Sequence, residues 1–294
     1  MSALQFGIST HLYHDQRLGR DHLVEIAAHG FDAVEIFANR PHVDLTDQQA
    51  TEELVQWFGD IGLRPHSVHA PIADSLRGGV WGTPLSIASG DERTRSHAIE
   101  EVSGAIRFAH ELKAPFVVVH VGVPDSQQPR ADDNRPDAAR RSIEALAEVA
   151  TPFGVRLALE VIPNRLSTAE QLVRLIEDDL ELPEVGVCFD FGHAQLAGDV
   201  LDAIETLSGH VVTTHVHDNR GRTDDHLLPF QGRIPWDGAL MALQKIGYEG
   251  VLMFELAATA DPRALLEGAQ RVRERLDRLT GFSPALGEIT GEEP

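Results

Sequence analysis

The sequence predicts a single (β/α)8 barrel, and three observations carry that prediction. Eight short, β-rich apolar runs occur along the chain, eight longer amphipathic segments alternate with them, and the composition places the chain in no competing class. The 294 residues would allow two domains or one large barrel. A chain that is 42% hydrophobic and 24% charged, with ordinary glycine and proline, is not disordered, collagenous or membrane-spanning.

Taken in order, the first strand is expected at 5–9 (QFGIS). The chain then reads GISTHLYH with no GxGxxG, which removes a dinucleotide site and weakens the runner-up fold, a doubly wound open sheet. A helix follows near 20–29, ended by Gly30, and then a strand at 32–37 (DAVEIF). The second helix, 47–61, ends at Gly62 before a strand at 63–69 (LRPHSVH). A long connection, 70–91, leads to a helix at 92–112 and a strand at 115–121 (PFVVVHV). The helix at 136–153 ends at Gly154, and the next strand is 155–161 (VRLALEV). Ser167 stands three residues before Glu170, the spacing of a capping box that would open a helix at 167–179. A strand at 185–190 (VGVCFD), a helix at 199–207 and a strand at 211–217 (VVTTHVH) follow. After a second long connection, 218–235, come a helix at 236–246 with Gly247 behind it and the last strand, 250–256 (GVLMFEL). Asp261 and Pro262 suit the cap and first turn of a helix at 262–280. The barrel domain thus spans 1–281, and 282–294, without periodicity, reads as a flexible C-terminal tail.

Charge and cysteine content bound the partners. Lys and Arg number 25 against 46 Asp and Glu, a net charge of −21 that repels phosphate backbones and anionic lipid, so neither nucleic acid nor a membrane is the expected partner. The single cysteine, Cys188, forms no intrachain disulfide, and the N-terminus lacks the basic segment and apolar run of a secretory signal. The cytoplasm is the expected compartment. The two lysines, Lys113 and Lys245, fall at a strand entry and a helix end, away from the mouth of a barrel, so Schiff-base chemistry is not expected.

The last residues of strands three to eight are His69, His120, Glu160, Asp190, His215 and Glu255. Carboxyl ends of parallel barrel strands converge on one mouth, and clustered carboxylates and imidazoles at the ends of apolar strands need a cation to neutralise them. Glu160 (RLALEVI) and Glu255 (VLMFELA) are the strongest candidates, because an unpaired carboxylate in such a run is costly. His69 could instead be merely hydrogen-bonded to backbone. His193 stands three residues after Asp190, a spacing that can aim both inward, and Asp224 and His226 form a D-x-H pair in the second long connection, which could also be a plain polar turn. His217 alternates with His215 and could replace it; His215 is preferred. Asp218, Asp225 and His210 read as solvent-side residues and Cys188 as a small core residue. Mixed oxygen and nitrogen donors favour Mn, Zn, Co or Fe over Ca, with Mg allowed, and the lack of thiolates argues against a closed structural zinc site. Trp81 could stack on a sugar ring, or serve as a lid or an oligomer contact.

These residues resemble the xylose isomerase-like TIM-barrel superfamily over about 5–280. The likeness is carried by SVHAP around His69, VVHVG around His120, LALE, FDFGHA, HVHDN, DDH with LLPFQG, and FEL. That resemblance implies one divalent ion held by Glu160, Asp190, His215 and Glu255, and a small-molecule sugar, sugar phosphate or keto-polyol as substrate. The implied reaction is proton transfer through a cis-enediolate with Glu160 and Glu255 as acid and base, giving isomerisation or epimerisation. His193 and Arg220 or Arg222 would bind substrate oxygens. The superfamily also implies two alternatives. A dehydratase or lyase uses the same enediolate, and an endonuclease IV-like AP endonuclease holds up to three zinc ions through nine residues, all matched here: His69, His120, Glu160, Asp190, His193, His215, Asp224, His226 and Glu255. Against the nuclease stand VIPN after Glu160, where the nuclease pattern has Asn and a glycine-containing run, and the charge of −21. A homo-oligomer is suggested by the resemblance alone.

Overall fold

The computed structural model describes residues 4–281 apart from 181 and 183. Its eight long strands are β1 (Gln5–Ser9), β2 (Ala33–Phe37), β3 (Arg64–His69), β6 (Phe116–His120), β7 (Arg156–Glu160), β8 (Val185–Asp190), β9 (Val211–Val216) and β10 (Val251–Phe254), with a small ribbon, β4 (Leu76–Arg77) and β5 (Val80–Trp81), between β3 and β6. The eight form a closed parallel barrel in the order β1-β10-β9-β8-β7-β6-β3-β2. Closure follows from the sequence: each run is buried on both faces, so pairing it with two neighbours leaves no edge exposed.

Helices α1 (Arg20–Ala28), α2 (Gln48–Ile61), α3 (Glu92–Leu112), α4 (Pro136–Ala150), α5 (Ala169–Arg174), α6 (Phe191–Ala197), α7 (Val200–Thr206), α8 (Trp236–Lys245) and α9 (Pro262–Gly281) surround it. Several of their starts are fixed by side-chain caps. Asp47 accepts from Ala50 N at 3.0 Å, Asp91 from Thr94 N at 2.8 Å and Asp261 from Ala264 N at 3.0 Å, each satisfying a donor that the first turn leaves unpaired. The expected stops at Gly30, Gly62, Gly154 and Gly247 all take positive φ, between 65° and 80°.

Four features differ from the sequence reading. Thr168, not Ser167, caps α5, accepting from Gln171 N, while Ser167 is buried and donates to Val121 O at 3.0 Å. After α5 the chain winds into a wider π turn, Leu175–Leu180, in place of a continuous α-helix. The connection 70–91 contains the β4–β5 ribbon, and the short α6 begins directly at the end of β8. The expected tail, 282–294, lies outside the described residues.

The main core lies between strands and helices, with Phe189, Phe191, Phe254, Ile8 and Leu23 fully buried, each such side chain contributing about 1.5–3 kcal/mol. The barrel interior is filled by smaller groups, Ala33 with Met253 and Val251, and Val118 with Ala158 and Cys188. Cys188 is thus core, as expected, and burial pushes its thiol far above the ordinary range. Lys245 ends α8 and pairs with Glu205 on α7 at 2.7 Å, while Lys113 caps α3 with φ 61°; neither lines the cavity at the mouth.

Candidate metal and substrate site

The parallel register brings the strand ends to one level: His120 is paired with Glu160 across β6–β7, and Asp190 with His215 across β8–β9. Asp190 also caps α6. Its Oδ1 accepts His193 N at 2.6 Å, which folds the chain so that His193 turns into the mouth three residues after Asp190. That leaves Asp190 Oδ2 3.0 Å from His217 Nε2 and 3.6 Å from His215 Nδ1.

Glu160 is the hub. Its Oε2 lies 3.1 Å from His69 Nε2 and 3.0 Å from His120 Nε2; its Oε1 lies 3.1 Å from His215 Nδ1 and 3.3 Å from His193 Nδ1. Glu255, just past β10, presents Oε2 3.4 Å from His215 Nδ1 and 3.6 Å from His226 Nδ1. Asp224 Oδ2 lies 3.0 Å from both His193 Nε2 and His226 Nε2. His226 holds this place with φ 43°, a left-handed conformation sparsely populated by residues other than glycine, and its ring nitrogen Nδ1 is 3.0 Å from Glu255 O.

The charges are strongly coupled. Burial alone would raise the Glu160 carboxyl, but His120 and His215 beside it hold it well below the usual carboxylate range. Asp190 and Asp224 are likewise pulled down against the effect of burial by their imidazole neighbours. The converse holds for His193 and His215, which burial would lower and the surrounding carboxylates raise well above the ordinary value, and for His226, raised to about 9 by Asp224.

Three sets offer one ligand atom per residue with all atoms of a set within 4.8 Å of one another: two that share Glu160 and His215, namely Glu160, Asp190, His215 and Glu255, and His69, Glu160 and His215; and a separate one of His193, His217, Asp224 and His226. Of these residues His69, Glu160, His193, Asp224, His226 and Glu255 line a cavity of about 740 Å³ whose walls include Phe37, Trp81, Arg222 and the helical turn Asp125–Gln127, while Asp190, His215 and His217 are buried behind them. A column of rings lines one side: His217 stacks on His226 at 4.0 Å, His226 on His11 at 4.9 Å, His11 lies 4.7 Å from His14, and His14 stacks on Trp81 at 5.3 Å.

All nine predicted polar ligand candidates therefore meet at one mouth, with Trp81 and Arg222 on its walls. His215, the preferred residue of the pair, lies in the set with Glu160, Asp190 and Glu255, and His217 also points inward but into a different set, its ring seated so tightly on Gly192 that a Cβ there would clash. Two readings need correction. Arg220 is not on the cavity wall; it is exposed and reaches Asp225 at 3.8 Å. Asp218 is not on the solvent side but fully buried, accepting from the backbone N–H of Asn219, Phe230, Gly232, Arg233 and Ile234 and from Trp236 Nε1 at 2.9–3.2 Å. Asp225 does stay at the surface, and His210 pairs with exposed Glu177 at the other end of β9. Glu35, fully buried on β2 and 3.1 Å from His215 Nε2, was missed, although a carboxylate inside the apolar run DAVEIF is the same signal that singled out Glu160. His11 and His14, beyond β1, gave no such signal.

Fold and site define a class: a closed eight-stranded parallel barrel with a mixed carboxylate and imidazole centre at its C-terminal mouth. The chain belongs to the xylose isomerase-like TIM barrel family, whose sequence profile matches residues 23–279. Among its relatives are an uncharacterised protein of Methanocaldococcus jannaschii, 29% identical over 86% of this chain and 83% of the relative, and the fructoselysine 3-epimerase of Shigella flexneri, 24% identical over 92% and 95%. Among solved structures it is similar to a D-tagatose 3-epimerase-like protein, with a TM-score of 0.78 and 28% identity over 95% of this chain and 97% of the other. The zinc-bound IOLI protein shares its fold, with a TM-score of 0.75 and 20% identity over 95% and 99%.

Proposed function

We propose that the protein is a divalent-metal-dependent isomerase or epimerase of a ketose, sugar phosphate or related keto-polyol, acting by proton transfer through a cis-enediolate. The observation that carries this reading is the convergence of Glu160, Asp190, His215 and Glu255, ligand atoms within 4.8 Å of one another, with Glu160 and Glu255 lining a cavity sized for a small molecule and Asp190 and His215 buried beside them. Three carboxylates and one imidazole, without sulfur, suit Mn, Co, Zn or Mg. The fit is supported by two buried ring nitrogens in the neighbouring set, His193 Nδ1 and His217 Nδ1, that have no hydrogen-bond partner. A divalent ion held by these four residues would supply Lewis-acid polarisation of a substrate carbonyl and the adjacent hydroxyl.

The rest falls to the chain's own residues. Glu255 takes the proton from the C–H beside the carbonyl, and Glu160 returns one to the opposite face, giving the epimer; return by the same carboxylate to the neighbouring carbon gives the isomer. His193 and Arg222 hold substrate hydroxyls, and Trp81 and Phe37 cover one face of the carbon chain. The test is metal-dependent exchange of substrate C–H with solvent deuterium across a panel of ketoses. Exchange with one or more of them is expected; none with any metal-loaded preparation overturns the reading.

The second reading is a multinuclear AP endonuclease. The two further ligand sets, one around His69 and one of His193, His217, Asp224 and His226, favour it. The chain's charge opposes it, and Arg222 is the one basic Arg or Lys among the described residues lining the cavity. Incubation with an abasic duplex at physiological salt is expected to leave it intact; efficient nicking would reverse the ranking.

A further inference from the structure

Beneath the mouth, a carboxylate is sealed into the barrel interior where a small apolar side chain would pack without electrostatic cost. Glu35 projects from the middle of β2, fully buried. Its Oε2 accepts from Ser67 Oγ at 2.7 Å and lies 3.1 Å from His215 Nε2; its Oε1 is buried without a hydrogen-bond partner. Desolvating a carboxylate is unfavourable unless something pairs with it, so its presence at the barrel centre calls for a reason. The backbone is built around it. The β2–β3 ladder is regular except for a register shift between Val34 and Glu35, after which Glu35 stands opposite Ser67. A bulge of this kind re-aims a side chain, and the comparable shift between Val187 and Cys188 in the β8–β9 ladder precedes the pairing of Asp190 with His215.

His215 has both ring nitrogens committed. Nδ1 faces Glu160 Oε1 at 3.1 Å, Glu255 Oε2 at 3.4 Å and Asp190 Oδ2 at 3.6 Å, while Nε2 faces Glu35. A neutral imidazole carries one proton and ligates through the bare nitrogen. With the proton on Nε2, donated to Glu35, the Nδ1 lone pair points at the three carboxylates; the other tautomer would put a proton where the cation sits. We infer that Glu35 is a positioning residue: anchored by Ser67, it fixes His215 as the Nε2–H tautomer and so presents Nδ1 to a divalent ion shared with Glu160, Asp190 and Glu255. This rests on the metal-dependent reading of the site proposed above. A Glu35 that merely stabilised the fold would change stability but not the metal affinity of the folded protein.

The test is titration of Zn into chelator-stripped wild type and Glu35→Gln, with folding verified by circular dichroism. It is joined by long-range proton–nitrogen correlation on zinc-loaded, histidine-labelled wild type to read the His215 tautomer. Glu35→Gln is expected to bind Zn about 10- to 100-fold more weakly, and His215 to carry its proton on Nε2. A folded Glu35→Gln that binds within twofold of wild type overturns the inference. If that variant does not fold, the tautomer decides, and a proton on Nδ1 overturns it. Zn uptake by wild type with unaltered uptake by the variant refutes the role of Glu35 alone; no uptake by wild type refutes the metal reading and this inference together.

Discussion

The two glutamates at the mouth are not equivalent. Both line the cavity, but each oxygen of Glu160 is within 3.3 Å of two imidazoles, whereas Glu255 approaches His215 and His226 through Oε2 alone, at longer distances. The imidazoles around Glu160 hold its carboxyl well below the usual range, which supports the proposed assignment of initial proton removal to Glu255. Glu255→Gln is expected to cut C–H exchange with solvent deuterium by about 10²–10⁴-fold, the usual worth of a positioned acid or base, and Glu160→Gln to abolish turnover while also weakening metal uptake. Exchange retained in both folded variants would remove their acid and base roles. At this scale the sequence was informative where a carboxylate interrupts an apolar strand, as Glu160 and Glu255 do, and the same signal stands unused at Glu35. It misled at Asp218, since a polar residue following a strand looks the same whether it meets water or, as here, six protein donors.

At the scale of elements, the connection 218–235 carries Asp224 and His226 into the mouth, and it holds its course because Asp218 gathers the N–H groups of Phe230, Gly232, Arg233 and Ile234 and the Trp236 indole onto one carboxylate. Gly232 passes so close that a Cβ would lie 2.2 Å from Asn219 O. Asp218→Ala orphans these donors and is expected to cost on the order of 3 kcal/mol or more, read as a lowered denaturant midpoint, with loss of activity even where the fold survives. Unchanged stability would show that the carboxylate does not organise the segment. The β4–β5 ribbon is the other device over the mouth. Trp81→Ala removes the outermost ring of the stacked column and is expected to raise KM several-fold, on the order of 1 kcal/mol, with little change in kcat. An equal fall in kcat would instead place Trp81 in the chemical step. Strand and helix positions were legible because burial on both faces leaves near-continuous apolar runs; the ribbon and α6 were not, since each is too short for a periodicity to emerge.

At the scale of the molecule, two dependences on conditions follow. An ion that binds only the folded barrel stabilises it by mass action, about 3 kcal/mol at a hundredfold excess over its Kd. Metal loading should therefore raise Tm by roughly 5–10 °C, and an unchanged Tm would argue against a resident ion. Away from the mouth, His42 and His66 are buried as neutral imidazoles, burial holding each down to about 4 against an ordinary 6.5. A histidine lowered on folding contributes stability that is present above pH 6.5 and lost as the pH falls towards 4, because the unfolded chain takes up the proton first. Each carries about 3 kcal/mol over that window. Tm should decline between these limits, and His42→Gln should flatten part of the slope; a slope unaltered in a folded variant would acquit His42. The sequence by itself determined the barrel, its closure and the nine converging polar residues, because apolar periodicity fixes which faces are buried and parallel strands send their ends to one side. Only the three-dimensional fold decided that His215 and His217 serve different sets, that Arg220 lies off the cavity wall and that Asp218 is buried. Those outcomes depend on register shifts, loop paths and side-chain distances between residues far apart in the chain, and no local pattern encodes them.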